Sequence, residues 1–415
     1  MNKSVKHWFL PSIADVFFIS VFLFLALPGD KGNLLGDGDT GYHIRAGEYI
    51  LNTLTIPKSD LFSFITPTLP WTAHEWLAEV VMALLHQLGG LTAVVIFFAL
   101  LLAISVTVFF RNIRMEGNNL LLTIIACSMM IALGTVHWLA RPHIFSLFFL
   151  IVWSKLLDDF QYRRVNRLWI LPVIMLFWVN LHGGFIIGLA IMGIYFAGNV
   201  QLKFTDKARW GEEGKAKART LGGILAVSTL VCLANPIGYK IFIFPFKLIS
   251  NKYIMDHTTE FMSPNFHELQ PFKYLLFLLI VIFAFSKRKP DFIEIILVLL
   301  FTSMSLTSVR YVPLFAIIII PILLRSIDGN CLSSFPKIEG FLRQRVENIT
   351  LIDSSAKGFV WPTASILLLV FLAANGTVTH AFNPEKKPIA ALEFLRENPV
   401  AGNMFNNDEF GDLLI

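Results

Sequence analysis

Charge is what this chain has least of. Asp, Glu, Lys and Arg account for 15% of its 415 residues, while hydrophobic residues reach 55%. A soluble domain carries roughly a quarter charged residues, so the shortage excludes a water-soluble globular protein, and no nucleic-acid partner is expected. Cysteine is scarce too. Cys127, Cys232 and Cys331 offer no disulfide framework and no metal-ligand spacing. No small-residue cleavage site follows the first apolar run, Phe17–Leu27, which therefore reads as a retained span rather than a leader. An internal repeat, the mark of many transporters, is also missing. The formal net charge of +5 says little, because charge in such a chain sorts by side of the membrane.

Apolar runs fill the sequence instead. Eleven lie between charge clusters, near 12–28, 91–110, 119–136, 142–158, 168–181, 184–201, 220–236, 272–287, 291–308, 311–326 and 359–376. Such runs suit a hydrocarbon core about 30 Å thick, and several fall short of about 20 residues, so some helices extend past the core or pack inside the bundle. Placing the N-terminus inside puts Arg111/Arg114, Arg163/Arg164/Arg167, the stretch Lys203 to Arg219, Lys287-Arg288-Lys289 and Lys337/Arg343/Arg345 on the inner side, as the positive-inside rule requires. The C-terminus then lies outside. Of the ten histidines only His7 falls inside, while His43, His74, His86, His137, His143, His182, His257, His267 and His380 lie at or beyond the outer boundary. Interfaces favour Trp and Tyr. A one-sided excess of a residue suited to proton transfer, phosphate contact or metal ligation points to polar chemistry on that face. The alternative is that the outer loops are simply longer and more polar.

The outer segment 29–90 is too long for a connector. It predicts two helices lying against the membrane, one near 40–52 stopped by Ile56-Pro57 and one near 73–88 ended by Gly89-Gly90. Pro57-Lys58-Ser59-Asp60 and Pro70-Trp71 supply turns between them. On the second helix Glu75, Glu79 and His86 fall within about 40° of one another at 100° per residue. A narrow polar stripe on an otherwise apolar surface suits an interfacial helix facing a polar cleft. Where the chain leaves the first span stands Asp37-Gly38-Asp39-Thr40-Gly41-Tyr42-His43, with Arg45 just beyond. Two carboxylates, a His and an Arg crowded there suit holding a cation or moving a proton.

Each candidate also has a purely structural reading. Asp39 suits the N-cap of a helix beginning at Thr40, and Asp37, between Gly36 and Gly38, suits a turn. His182-Gly183-Gly184 reads as a hairpin turn between two spans. Arg310, at a span end, suits snorkelling to headgroups, and Arg141-Pro142 a span start with an anchoring charge. Glu75 and Glu79 read as cleft-lining or solvated. Asp15, near the inner start of the first span, is expected to face the interface. The joint case is stronger than any single residue, because the candidates share one membrane face. The outer stretch 237–270, with Tyr239, Lys240, Lys247, Lys252, Tyr253, His257, Glu260 and His267, suits a lipid-phosphate or sugar ligand and equally a plain amphipathic anchor.

A span, an outer Asp motif, two juxtamembrane helices and a long bundle of spans resemble the GT-C superfamily of membrane glycosyltransferases. Its members include protein mannosyltransferases, lipid A aminoarabinose transferases and oligosaccharyltransferase catalytic subunits. The run Asp37–Leu51 is similar to that group's first-loop Asp signature, nearest to the D-x-D…Y-H-x-R form of oligosaccharyltransferases. Arg141-Pro142-His143-Ile144-Phe145-Ser146, Trp178-Val179-Asn180-Leu181-His182-Gly183-Gly184-Phe185 and Asn235-Pro236-Ile237-Gly238 resemble a bacterial branch. The architectural likeness covers most of the chain, the specific motif only Asp37–Leu51. It implies that Asp39, with Asp37 beside it, sits opposite a polyprenyl-phosphate-linked sugar. There it either activates the acceptor or helps to hold a divalent cation, Mg or Mn. Sugar transfer also needs cations near the departing phosphate. Arg141, His143 and Arg310 fit that need, with His43, Arg45 and His182 as further substrate contacts. Many relatives carry an acidic residue between the third and fourth spans, where this chain has Leu139-Ala140-Arg141-Pro142-His143. The departure favours a base over a two-sided metal site.

The sequence therefore predicts an all-α polytopic membrane protein, with about eleven transmembrane helices plus two outer juxtamembrane helices in a domain spanning 1–376. An outer segment, 377–415, follows. In it Pro388 to Glu397 reads as a helix and Asn403–Phe405 as a short strand, the start of a small α/β domain that about forty residues cannot complete alone. The resemblance implies a glycosyltransferase of the inner membrane that serves the cell envelope. Its sugar donor is lipid-linked, its acceptor a lipid, glycan or protein, and its site lies on the outer face. The rivals are a transporter or flippase for a lipid-linked anion, and a non-catalytic envelope-assembly scaffold. Transporters place ionisable groups near the bilayer midplane, whereas these cluster at one face.

Overall fold

A computed structural model describes residues 8–29, 34–117, 119–207, 210–327, 336–356, 358–406 and 410–411. His7, Cys331 and Leu413–Ile415 lie outside them. Among the described residues the chain is helical throughout, with no strand and one isolated antiparallel bridge, Ser59 to Pro70. The first half runs α1 (Ile13–Ala26), α2 (Asp39–Thr53), α3 (Trp76–Met115), α4 (Leu120–Gly134), α5 (His143–Arg163), α6 (Ile170–Leu181), α7 (Phe185–Thr205) and α8 (Lys215–Val231). Two short helices, α9 (Phe244–Ser250) and α10 (Lys252–His257), lead to α11 (Pro271–Phe285), α12 (Phe292–Thr307) and α13 (Val312–Ser326). The chain continues through α14 (Pro336–Ser355), α15 (Val360–Ala374) and α16 (Ile389–Glu397).

Each of the eleven apolar runs coincides with a helix or a helix limb. Among the described residues, five helical stretches are long and apolar enough to cross a membrane: Trp76–Met115, Leu120–His137, Phe185–Thr205, Trp210–Ala234 and Val309–Ser326. The bent pair 345–355 and 360–374 makes up to six, while α1, α6, α11 and α12 are shorter apolar helices. Phe277, Ile280, Val281 and Phe285 of α11 and Leu367, Leu368, Val370 and Phe371 of α15 stand exposed, a disposition that suits lipid rather than water. The chain is a multi-pass membrane protein.

Local chemistry sets the ends. Ser12 and Asp15 form a capping box at α1, Ser12 Oγ accepting from the Asp15 N–H and Asp15 Oδ2 from the Ser12 N–H. Asp15 is buried there rather than facing the interface, since the first turn's free N–H groups claim its carboxylate. α3 kinks at Gly89-Gly90, where both residues leave helical dihedrals and Gly90 takes φ +62°, a backbone open to glycine at little cost. The break separates limb 76–88 from limb 91–115, where the sequence ends the second juxtamembrane helix. Residues 403–406 adopt no regular structure, so the expected strand at Asn403–Phe405 is not formed. α16 matches the expected helix.

α2 lies on limb 76–88, and α1 packs on the same helix. α13 runs through the centre with nearly every side chain buried, from Val312 to Leu324. Arg310 precedes it and Arg325 closes it, about 22 Å apart at 1.5 Å per residue. At the Arg325 end, the guanidinium donates from Nη1 to Asp158 Oδ2 (2.9 Å) and from Nε to Glu294 Oε1 (3.1 Å) and lies over the Tyr162 ring. Tyr195 and Tyr162 donate their hydroxyls to Asp158 and Asp291.

The α2–α3 contact depends on Gly47, whose added Cβ would land on the Glu79 carbonyl. Overpacking of this kind costs about 1–3 kcal/mol. Gly47→Ala is expected to lower the melting temperature in detergent by several degrees, and an unchanged value would mean that the helices part without cost.

Candidate functional site

Three loops meet at one guanidinium. Gly38 caps α2 without a side-chain bond, and Asp39 is its first helical residue, so Asp39 is not the N-cap. Thr40 Oγ1 donates to the Ala140 carbonyl (3.1 Å), and the Ala140 N–H donates to Leu34 O (2.8 Å). These bonds fasten the Asp37–Asp39 turn to the loop before α5. Arg141 then pairs with Asp37 through Nη1 (3.0 Å), with Asp39 through Nη2, and with Glu260 through Nη1 (3.3 Å). Glu260 comes from the 237–270 segment and also meets Arg310 (3.4 Å) and faces His137 (3.7 Å). Arg310 lies over the Phe261 ring, 4.5 Å to its centroid.

Beside this cluster opens a cavity with two arms of about 200 and 220 Å³, sharing His74, Glu75, His143, His182, Phe244 and Arg310. One arm adds Tyr42, His43, Arg141 and Glu260; the other adds Leu147, Leu150, Ile186, Ile187, Met304 and Leu314. Charge and aliphatic surface thus adjoin in one hollow. The segment 237–270 covers it, tied down by Ser308 Oγ donating to Glu260 O (2.8 Å) and Val309 N–H to Met262 O (2.9 Å).

Histidines gather around Glu75. Its carboxylate lies 3.2 Å from His74 Nε2, 3.5 Å from His182 Nε2 and 3.9 Å from His43 Nε2. His182 Nδ1 accepts the Gly184 N–H (3.0 Å) and faces Ser146 Oγ (2.7 Å), which itself accepts from Trp178 Nε1 (2.6 Å). Those partners leave the neutral ring's proton on Nε2, towards Glu75. Burial, with Arg310 nearby, pushes His182 down to about 4 despite Glu75. Burial opposes ionisation of Glu75, but His74, His182 and His43 together hold its carboxyl well below the usual range. His74 moves the other way: burial would lower it, and Glu75 outweighs that and raises it. Asp37 is raised, chiefly by burial and despite Arg141, and its Oδ1 is buried with no hydrogen-bond partner. Glu260 is held low because Arg310, Arg141 and His137 together outweigh its burial.

The sequence-predicted residues divide. Asp37, Asp39, Arg141, His143, His182, Arg310 and Glu75 come together, His143 donating from Nε2 to the His137 carbonyl (2.7 Å). Asp37 and Asp39 flank Arg141 but do not line the cavity. Glu75 of the polar stripe lines the cavity, whereas Glu79 lies behind it, 3.7 Å from His43 Nδ1, and His86 turns to Glu48 of α2, 3.4 Å away. Arg45 points away, half exposed and paired with Glu48. Two residues along a helix rotate a side chain by 200°, so with His43 turned inward Arg45 must face out. Sequence reasoning did not single out His74, His137, Glu260, Ser146, Trp178 or Tyr42. The outer histidine excess, the motif runs and, for Glu260, the polar outer stretch 237–270 were their only signals. The two carboxylates proposed for Mg or Mn spend oxygens on Arg141, and among the described residues no three His, Cys, Asp or Glu side chains converge as metal ligands. The arrangement does not fit a resident divalent cation.

No family model matches the chain, and no curated protein matches it.

The His74–Glu75 pair makes stability depend on pH. His74, raised above 6.5, contributes fully below that pH and loses its contribution as pH rises through its folded value. Glu75, depressed below 4.5, contributes fully above that pH and loses it as pH falls. The melting-temperature penalty of His74→Ala in detergent is therefore expected to be largest between pH 4.5 and 6.5 and to shrink above it. A penalty flat from pH 5 to 9 would contradict the pairing.

Proposed function

We propose that the protein is a GT-C-like membrane glycosyltransferase that moves a sugar from a polyprenyl-phosphate donor to a lipid, glycan or protein acceptor at the outer face of a bacterial cytoplasmic membrane. One observation carries this reading. Arg141 and Arg310 converge on a single carboxylate, Glu260, beside a cavity whose second arm is aliphatic. Two guanidiniums that reach one carboxylate reach one phosphate, and the aliphatic arm suits the isoprenoid chain attached to it. A phosphate takes the place of Glu260 between them.

In the reaction the acceptor oxygen bonds to the anomeric carbon as that carbon's bond to the phosphate oxygen breaks. The electron pair leaves with the phosphate, stabilised by the two arginines, and the acceptor proton passes to a carboxylate. Asp37 suits the base best, having a raised pKa and an unpartnered oxygen, while Asp39 steadies Arg141.

Purified protein given a labelled polyprenyl-phosphate sugar and cell-envelope acceptors is expected to release polyprenyl phosphate. Asp37→Asn should slow that release by about 10²–10⁴, and Arg141→Lys should also impair it, with folding unchanged. Full activity in both variants sinks the mechanism. Lipid movement across the bilayer without sugar release points to a transporter, and neither activity to a scaffold.

The reading includes eleven crossings with the N-terminus inside. Cysteine placed at Ser63 should react with an impermeant maleimide in intact cells stripped of their outer barrier, and cysteine at Glu212 only after permeabilisation. The reverse pattern overturns the topology.

A further inference from the structure

A second cavity, of about 500 Å³, lies at the far end of α2, lined by Arg45, Glu48, Tyr49, Asn52, Thr53 and Phe62 among others. None of these residues lines the Arg141 cavity. A row of rings joins the two. Tyr42, in the wall of the Arg141 cavity, meets Trp71 edge-on at 6.3 Å, and Trp71 meets Phe62 of the second cavity edge-on at 5.7 Å. On α2 itself Tyr42, Arg45, Tyr49 and Asn52 follow the spacing of one helix face. That face extends about 15 Å from Tyr42 to Asn52, the reach of a short chain of rings rather than of one.

We infer that the acceptor is a glycan chain lying along the Tyr42–Trp71–Phe62 row, its far end held in the cavity of Arg45, Glu48, Tyr49 and Asn52. The inference rests on the glycosyltransferase reading and names the acceptor class. Sugar rings present C–H faces to aromatic walls and hydroxyls to their rims. Tyr49 and Phe62 supply walls. The Arg45–Glu48 pair, at the mouth and with Arg45 half exposed, sets donors beside acceptors, which matches neighbouring hydroxyls that both give and take hydrogen bonds. The Asn52 side chain, exposed at the rim, offers the same duality in one amide. A peptide strand is gripped through its backbone at a sheet edge, and a lipid tail takes an aliphatic slot like the arm beside Leu147 and Leu150. This cavity instead mixes ring faces with paired polar groups.

Photo-crosslinking in the producing cell tests it. Benzoylphenylalanine replaces Tyr49, Phe62, Phe244 in the Arg141 cavity, or Phe394 on α16 as a control. Irradiated protein is purified and its adducts are weighed by mass spectrometry. At Tyr49 and Phe62 the expected adducts form a ladder of sugar-residue increments, destroyed by periodate and untouched by protease. Asn52→Ala should lower capture at Tyr49 about five- to ten-fold, the effect of one lost hydrogen bond, and leave capture at Phe244 unchanged. A protease-sensitive or lipid adduct at Tyr49 and Phe62, or capture there no greater than at Phe394, overturns the inference. The glycosyltransferase reading fails separately, if Phe244 captures no polyprenyl phosphate.

Discussion

The geometry of the site depends on the guanidinium of Arg141. Asp37 arrives from the turn before α2 and Asp39 from its first residue, Arg141 from the loop before α5, and Glu260 from the segment before α11. Carboxylates packed beside an aliphatic bundle are costly to desolvate unless a cation meets them, and an unpaired arginine there is equally costly. Each loop therefore holds the others in place. The Thr40 to Ala140 bond and the Ala140 to Leu34 bond repeat the same fastening in the backbone, so the electrostatic and hydrogen-bond constraints agree. The cavity beside Arg141 inherits its shape from that agreement.

The helices were legible because a membrane leaves the backbone no partner but itself, so an apolar run with charged flanks announces a helix. That is why the eleven runs coincide with helices and why Gly89-Gly90 marks a real break. The pairing of distant side chains carries no such signature. Asp37 and Arg141 stand far apart in sequence, and nothing local says that they meet. Glu260 sits in a stretch without periodicity, where every polar residue looks alike. Arg45 shows the limit of adjacency: within a motif it stands beside His43, but on a helix it faces the other way. Asp15 was misplaced because a carboxylate near a span start looks interfacial until the first turn's N–H groups are counted.

The cover of the cavity is built differently from its walls. α9 and α10 are short, and their segment is pinned mainly through Glu260, Met262 and the ring contact of Phe244 with His74. The walls come from long helices packed on one another. On the proposed reading, a ligand that displaced Glu260 from the two arginines would loosen one fastening of the cover, coupling binding to access through a single carboxylate.

α13 has a consequence of a different kind. It is enclosed on nearly every side and ends in Arg310 at the cavity and in Arg325 among Asp158 and Glu294. A rod so confined cannot roll or slide by itself. The two ends of the helix move together, and the arginine at the cavity is held in register by an anchor at the opposite end.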